Sequence, residues 1–543
     1  MSTILNVTDL KVHHGPVRAL AGVNLSLERG EILAVVGESG SGKSTLTRAL
    51  LGLTPPTATV SGSVVLDDVE VTSRSARALR GETISLVPQD PGASLDPVRT
   101  IGAQLFETLK LHRSAELKGA AEAETSPSGI ASEKPQASLR ERAIQLLDSV
   151  GIDRPAARLK QYPHELSGGL KQRVLIALAF SREPTVLVAD EPTSALDVTV
   201  QKLVLSTFTA LARSHGTSVV FVTHDIAVAT DLADRVVVLK AGQIVETGSV
   251  KQLATDAQAE YTRALLGQAL PSTTDADAKR ITEREDAALE VHDLVKSFGD
   301  RTVVDSVNLT VPRGTTFALV GESGSGKSTT ARMILGLETP DSGSVKVLGQ
   351  ETVGLGGAAR RELWSKLQLV HQNPDTSLDP RWSVAKIIAE PLRHHSKLAR
   401  ADRELRVREA LEHVHLPQSL FTSRPGELSG GQRQRVAIAR TLAVGAQVLV
   451  LDEALSALDV VTQERVLELL DELQADLGLT YLFISHDLAV VERFSHHVGV
   501  LSGGRLVETG PTTQVFAAPT ADATRMLLDA RPGERLRTLV AAS

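Results

Sequence analysis

The stretch Gly37-Glu38-Ser39-Gly40-Ser41-Gly42-Lys43-Ser44-Thr45 has residue types and spacing suited to one task, holding phosphate. Its glycines let backbone N–H groups turn inward around an anion, and the helical pattern that follows from Thr45 adds a positive dipole end. Lys43 is placed to reach β- and γ-phosphates and Ser44 to ligate magnesium. The apolar run Ile32 to Val36 leads straight into the loop, giving the strand–loop–helix context of a nucleoside triphosphate site. The same nine residues recur letter for letter as Gly321-Glu322-Ser323-Gly324-Ser325-Gly326-Lys327-Ser328-Thr329. The chain therefore carries two such loops.

Carboxylates stand at the ends of two other apolar runs. Thr185 to Ala189 ends in Asp190-Glu191, and Gln447 to Leu451 ends in Asp452-Glu453. The first acid of each pair can hold magnesium through water, and the second is placed to orient or deprotonate an attacking water. Leu166-Ser167-Gly168-Gly169 recurs as Leu428-Ser429-Gly430-Gly431, and Thr223-His224-Asp225 pairs with Ser485-His486-Asp487.

The phosphate loops are offset by 284 residues and the later motifs by 262, so the halves are collinear apart from about twenty-two extra residues in the first. The extra length coincides with an Ala-, Glu-, Ser- and Pro-rich stretch at about 118–138, expected as a flexible surface insert. Residues 268–287 are polar, mixed in charge and without apolar periodicity, which predicts a linker. The expected organisation is a first domain at 1–267, this linker, and a second domain with a C-terminal extension at 288–543. Short β-branched runs (Val186 to Ala189, Val219 to Val222, Val236 to Leu239) alternate with helical stretches such as Gln172 to Phe180, which predicts α/β cores built on parallel sheets.

Composition narrows the function further. With 543 residues, 42% hydrophobic and 23% charged, the chain is ordinary for soluble globular protein. A formal charge of -7 provides no global positive field for nucleic acid, and the absence of Cys excludes cysteine nucleophiles and Cys-ligated metals. The longest apolar runs fall far short of the ~18 residues needed to cross a bilayer. The amino terminus, Met1 to Leu10, has no basic-then-apolar signal, so any membrane role is expected to come through a partner.

The order of motifs resembles that of ABC ATPases across nearly the whole chain, twice. It runs phosphate loop, glutamine (Gln89 and Gln372), Leu-Ser-Gly-Gly signature, acidic strand end, Ser-Ala-Leu-Asp loop (Ser194 to Asp197, Ser456 to Asp459) and histidine (His224 and His486). The resemblance implies two tandem P-loop NTPase domains, each a RecA-like parallel-sheet core with a helical subdomain and a small β region. ATP and magnesium are the implied ligands, with Ser44, Gln89 and Asp190, and Ser328, Gln372 and Asp452, on the metal side. Glu191, Glu453, His224, His486, Gln89 and Gln372 take the implied catalytic roles.

The signature Ser and Gly residues make a further anion site at a helix N-terminus, which one domain cannot aim at its own phosphate loop. Family resemblance implies a head-to-tail pair, so that ATP on Lys43 is capped by Ser429, Gly430 and Gly431, and ATP on Lys327 by Ser167, Gly168 and Gly169. On one chain this becomes an intramolecular pseudo-dimer, with the linker keeping the halves at roughly millimolar effective concentration. Phe298 stands where the family stacks an aromatic ring on adenine, and His14 takes that place in the first half. Leu170 stands opposite Gln432, and Glu191-Pro192-Thr193 opposite Glu453-Ala454-Leu455, which leaves equality of the two sites open, while both halves retain lysine, glutamine, signature serine and the Asp-Glu pair, so neither site is expected to be dead.

Gln89 to Pro97 and Gln372 to Pro380 both end in Ser-Leu-Asp-Pro and resemble the dipeptide, oligopeptide and nickel importer branch. Tyr261 to Leu266 and Thr524 to Leu528 resemble that branch's C-terminal extension. The implied role is the ATP-hydrolysing subunit of a peptide importer, peripheral to the cytoplasmic face of the membrane. Its implied partners are two permease subunits and, through the complex, an extracytoplasmic binding protein. The alternatives are a soluble twin ATPase acting on ribosomes or translation, or an importer of nickel, glutathione or sugar. Five acids against three bases in the linker are poorly suited to RNA, and no direct nucleic-acid contact is expected.

Overall fold

A computed structural model describes residues 2–72, 74–110, 139–193, 196–270, 286–352, 354–372, 374–395, 398–456 and 458–542. The expected insert at 118–138 lies outside the described residues, as do Ser194, Ala195, Ala457 and most of the expected linker, 271–285. The chain forms two compact units: residues 1–196, 200–270 and 532–543 group as the first, and 197–199 and 271–531 as the second.

In the first unit the strands are β1 (Thr3–His14), β2 (Val17–Glu28), β3 (Ile32–Val36), β4 (Ala58–Leu66), β5 (Val69–Glu70), β6 (Ile84–Val87), β7 (Val186–Asp190), β8 (Ser218–Thr223), β9 (Arg235–Lys240) and β10 (Gln243–Ser249). Among the described residues they build two sheets, ordered β2-β1-β4-β5 and β10-β9-β3-β8-β7-β6. The smaller sheet is antiparallel. In the larger one β9, β3, β8, β7 and β6 run parallel, and β10 is added antiparallel at the edge. Every residue of β3 and β8 is buried, as expected of central strands covered on both faces. The predicted apolar runs at 186–189, 219–222 and 236–239 fall in β7, β8 and β9.

The second unit repeats the plan with β11 (Ala287–Phe298), β12 (Arg301–Pro312), β13 (Thr316–Val320), β14 (Ser342–Val347), β15 (Gln350–Glu351), β16 (Leu367–Val370), β17 (Val448–Asp452), β18 (Thr480–Ile484), β19 (His497–Ser502) and β20 (Arg505–Pro511). Its sheets are ordered β12-β11-β14-β15 and β16-β17-β18-β13-β19-β20. Between β16 and β17 lies a helical layer in which Val384, Ile387, Ile388 and Leu392 share a core with Val407, Leu411 and Val436. The i, i+3, i+4, i+8 spacing of the first four places them on one face of the helix Val384–His395.

The helix after the first phosphate loop begins earlier than the sequence pattern suggests. The helix after the first phosphate loop is Lys43–Leu50, and the signature helix is Gly168–Phe180. In the first, Gly42 at φ 106° takes the cap position, so Lys43 and Ser44 are already helical. In the second, Ser167 caps the helix by accepting the Leu170 N–H at 3.4 Å.

On the last strand of each unit a carboxylate anchors an accessory helix. Glu246 accepts the N–H groups of Gln258 (2.7 Å) and Ala259 (3.0 Å) ahead of the helix Glu260–Ala269. Glu508 does the same for Thr520 (2.8 Å) and Ala521 (3.1 Å) ahead of Asp522–Asp529. The final segment, 532–543, packs within the first unit, where Asp231 accepts the N–H groups of Gly533 at 2.7 Å and Arg535 at 3.0 Å and Leu536 is fully buried.

Burial alone would raise the Glu508 pKa, but the hydroxyls of Thr524 and Thr520 and the backbone N–H groups turned toward it hold it at about 2. A carboxylate depressed in the fold contributes stability that is complete above the unfolded value of 4.5 and is lost as pH falls through about 2. Glu508→Gln is expected to speed amide exchange of residues 522–529 at pH 7. The wild-type protein should approach the variant between pH 4.5 and 2, after correction for intrinsic rates. Superimposable exchange at pH 7 would remove the anchoring role.

Candidate active site

The first phosphate loop joins the end of β3 to its helix and is shaped by its own backbone. Lys43, only 6% exposed, folds its ammonium back to donate to Gly37 O at 2.6 Å and Glu38 O at 2.8 Å. Lys327 does the same with Gly321 O at 2.7 Å and Glu322 O at 2.8 Å, and its burial lowers its pKa against the raising influence of Glu453. Gly40 and Gly324 both lie at φ 79°, in the left-handed region that favours glycine. A Cβ on Gly37 would sit 2.1 Å from the Leu239 carbonyl oxygen, and one on Gly321 would meet Leu501 O at the same distance. The small sheet supports the loop through the β9–β10 turn, because Ala21 N–H donates to Gly242 O and Gly242 N–H donates to Ser41 O, each at 2.8 Å.

Those loops fit a phosphate chain. Ser41 Oγ and Ser325 Oγ are buried without a hydrogen-bond partner among the described residues, and neither following helix has a side-chain cap. An anion with several acceptor oxygens would satisfy the hydroxyls and the helix-end N–H groups together. Ser44, in the first turn of the following helix, is exposed.

At the end of β7, Asp190 is raised to about 6, first by burial and then by the charge of Glu191. Asp452 is raised for the same reasons, by burial and then Glu453. Glu191 departs from the strand at φ 46° and Glu453 at φ 47°, a left-handed backbone uncommon for glutamate. Each remains hydrogen-bonded to the neighbouring strand, Glu191 N–H to Val222 O at 2.8 Å and Glu453 N–H to Ile484 O at 3.0 Å.

Two expected residues meet at each glutamate. Gln89 Nε2 donates to Glu191 Oε2 at 3.0 Å, and His224 Nδ1 lies 3.2 Å from the same oxygen. In the second unit Gln372 Nε2 donates to Glu453 Oε2 at 2.8 Å, and His486 Nδ1 lies 3.5 Å from Oε1. For Glu191 burial favours the neutral acid, but the hydrogen bond and charge of His224 outweigh it and its pKa falls. His224 rises because the same pairing outweighs its own burial. For Glu453 and His486 the mutual hydrogen bond is the largest influence, lowering the acid and raising the imidazole. The result is an ionised carboxylate held from two sides beside a second, less readily ionised one.

Signature residues sit at their own helix N-termini. Ser167 and Gly168, like Ser429 and Gly430, are exposed, whereas Gly169 is packed so tightly that a Cβ would meet Val200 Cγ1 at 2.4 Å. Ser429 makes a reciprocal capping box, with Gln432 N–H donating to its Oγ at 3.3 Å and its own N–H donating to Gln432 Oε1 at 2.9 Å. Leu170 cannot return that bond, so the sequence departure at this position becomes one cap bond fewer. His14 and Phe298 occupy the hairpin ends of β1 and β11; Phe298 is 51% exposed, and Lys296 Nζ lies 5.4 Å from its ring centroid.

One contact at the first loop is not given by motif spacing. Glu38 N–H donates to the hydroxyl of Tyr261, from the accessory helix, at 3.0 Å. The motif reading places Tyr261 in the C-terminal extension, and no local sequence signal links it to a loop 223 positions away.

With this geometry in place, the sequence model of the ABC transporter family matches residues 20–194 and 304–456, covering both phosphate loops and both acidic strand ends. The chain belongs to the ABC transporter family. It is 38% identical to an oligopeptide transport ATP-binding protein, OppD, of Mycobacterium tuberculosis, across 98% of this chain and 99% of that one. It is 42% identical to a peptidoglycan transport ATP-binding protein, YejF, of Agrobacterium fabrum, across 97% and 96%. Identity to a glutathione import ATP-binding protein, GsiA, of Escherichia coli is 39%, across 95% and 87%. The chain is an ATP-binding ABC ATPase with two tandem cassettes.

Gly37→Ala should abolish nucleotide binding at the first site and lower the melting temperature, because the atom it strikes is strand backbone that cannot rotate away. Gly40→Ala has nothing within 4 Å of its new Cβ, so only the left-handed strain of about 1–2 kcal/mol is expected. Titration with a fluorescent ATP analogue, alongside thermal melting, separates the two; wild-type binding by Gly37→Ala at both sites would contradict the close-approach argument.

Proposed function

We propose that the chain is the ATP-hydrolysing subunit of an importer, coupling two composite sites to peptide uptake through separate permease subunits. The observation that carries this reading is a complete set of site residues in both units, on a chain matched over 95–98% of its length by peptide, peptidoglycan and glutathione transport ATP-binding proteins. No helix among the described residues is long and apolar enough to cross a membrane, which suits a peripheral subunit at the cytoplasmic face. An extracytoplasmic binding protein would join through the permeases and select the cargo.

In this reading Lys43 and Lys327 leave their own loop carbonyls to hold the β- and γ-phosphates of ATP. Magnesium, held by Ser44 and Asp190 with Gln89, and by Ser328 and Asp452 with Gln372, would neutralise phosphate charge. Glu191 and Glu453 take a proton from water as its oxygen bonds to the γ-phosphorus and the bond to ADP breaks. His224 and His486 hold the carboxylates ionised and oriented, and His14 and Phe298 lie against adenine. The exposed signature residues Ser429, Gly430 and Gly431 would close over ATP on Lys43, and Ser167, Gly168 and Gly169 over ATP on Lys327.

A groove of 470 Å³ in the second unit offers a seat for a permease's cytoplasmic helix. Its lining includes Leu335, Leu337, Trp364, Leu369, Pro391 and His371, the residue before Gln372 in the chain. Burial and then the nearby Arg440 lower the His371 pKa, and with Glu390 and Arg440 also in the lining the groove offers a partner helix both apolar and charged contacts. Movement at Gln372 would pass through this wall to the permease.

Affinity purification from gently solubilised membranes should recover two different polytopic permeases, and transport by the purified complex should stop in the Lys43→Ala, Lys327→Ala double variant. Recovery of ribosomes alone, or transport that survives the double variant, would overturn the importer reading. Glu191→Gln or Glu453→Gln should trap ATP and slow turnover at the altered site about 10²–10⁴-fold. Ser167→Ala should weaken nucleotide trapping at Lys327 and spare Lys43; the opposite pattern would contradict the head-to-tail pairing.

A further inference from the structure

Tyr261 is a buried aromatic whose polar end points at the machinery. Its side chain is 9% exposed, its ring lies under Lys240 Nζ at 4.4 Å from the centroid, and its hydroxyl accepts the Glu38 N–H at 3.0 Å. Lys240 ends β9, next to Leu239, whose carbonyl closes against Gly37. Glu38 is thereby held from two sides, its N–H by the phenol and its carbonyl by Lys43 Nζ at 2.8 Å. The helix bearing Tyr261 is itself fixed by Glu246 through the Gln258 and Ala259 N–H groups.

The second unit repeats the anchor but not the contact. Glu508 holds the start of the corresponding helix in the same way. At the shared offset of 262, however, Ala523 stands in the place of Tyr261 and Ser502 in the place of Lys240. A methyl group cannot accept a hydrogen bond, so the second loop lacks this support.

We propose that Tyr261 is a positioning residue that fixes the Glu38 end of the first phosphate loop and thereby makes the two nucleotide sites unequal, the Lys43 site binding more tightly. Lys43 must release Glu38 O to reach a phosphate, and the loop must keep its curvature as it does so. The phenol holds the opposite side of the same residue throughout, so less ordering is left for the nucleotide to drive. At its Glu322 end the second loop has only the bond from Lys327 to the carbonyl, so that end must be ordered by the nucleotide itself. The accessory helix thus becomes part of the first ATP site, and a displacement of that helix would be felt there alone.

The test uses the full chain and Tyr261→Phe, which removes the hydroxyl and keeps the ring beneath Lys240. Photolabelling with 8-azido-ATP, read as labelled peptides from each half by mass spectrometry, gives occupancy of each site across a concentration series. The expected result is an apparent Kd at the first site weakened about three- to tenfold, the effect of one hydrogen bond, with the second site and the melting temperature unchanged. Equal weakening at both sites would assign Tyr261 a general structural role, and unaltered curves would remove any role at the loop; either overturns the proposal. A second measurement needs no variant. The Glu38 amide in the nucleotide-free wild-type protein should exchange more slowly than the Glu322 amide, and equal protection would also overturn it.

Discussion

The curvature of the phosphate loop is the constraint on which the remainder of each unit depends. A ring of inward-facing N–H groups is electrostatically costly to assemble without an anion, and here the opposing carbonyls of Gly37 and Glu38 are tied to the Lys43 ammonium instead. Outside support comes from Leu239, whose carbonyl leaves no room for a Cβ at Gly37, and from the Gly242 turn that links Ser41 to the small sheet. Since β9 and β3 are hydrogen-bonded neighbours in the parallel sheet, the order of strands, and not the loop alone, fixes where the phosphates would lie. The antiparallel sheet follows the same requirement, since β2 reaches the loop through Ala21.

The acidic pair at the end of β7 shows how adjacent residues of the same charge acquire different properties. Both are substantially buried, but Glu191 turns into the left-handed region and meets Gln89 and His224, whereas Asp190 keeps the strand direction and faces burial and the charge of Glu191. Their pKa values consequently move apart, with Asp190 up and Glu191 down. The backbone strain at Glu191 is what separates the carboxylates, and its repetition at Glu453 ties it to the chemistry of the site.

Much of the site was legible in the sequence because its parts depend on short, local rules. Glycines where the backbone must turn, serine before a helix and carboxylates after a buried strand each identify a position without reference to the remaining chain, and the duplication provided a second reading of each. The strand runs at 186–189, 219–222 and 236–239 were readable because central parallel strands are apolar on both faces. Left-handed glutamates were not readable, since φ at Glu191 is set by the bond from its N–H to Val222 on the adjacent strand. Nor was the packing of 532–543 within the first unit, which depends on Asp231 some three hundred residues earlier. Periodicity predicts which face of a helix is buried, but not against what.

Duplication also makes differences between the halves interpretable. Lysine, glutamine, acidic pair and histidine recur with nearly the same distances, so selection for the chemical step cannot explain why their surroundings diverge. The divergence lies in attachments: Leu170 has no counterpart to the Gln432 cap bond, and Ala523 has no counterpart to the Tyr261 hydroxyl. One helix start has a cap bond fewer in the first unit, and one end of the phosphate loop has a hydrogen bond more there. Under the proposed head-to-tail pairing, the loop held by Tyr261 would meet the better-capped signature helix, and the other loop the helix with one cap bond fewer. Two small changes, far apart in sequence, would then act in the same direction on the inequality of the two ATP sites.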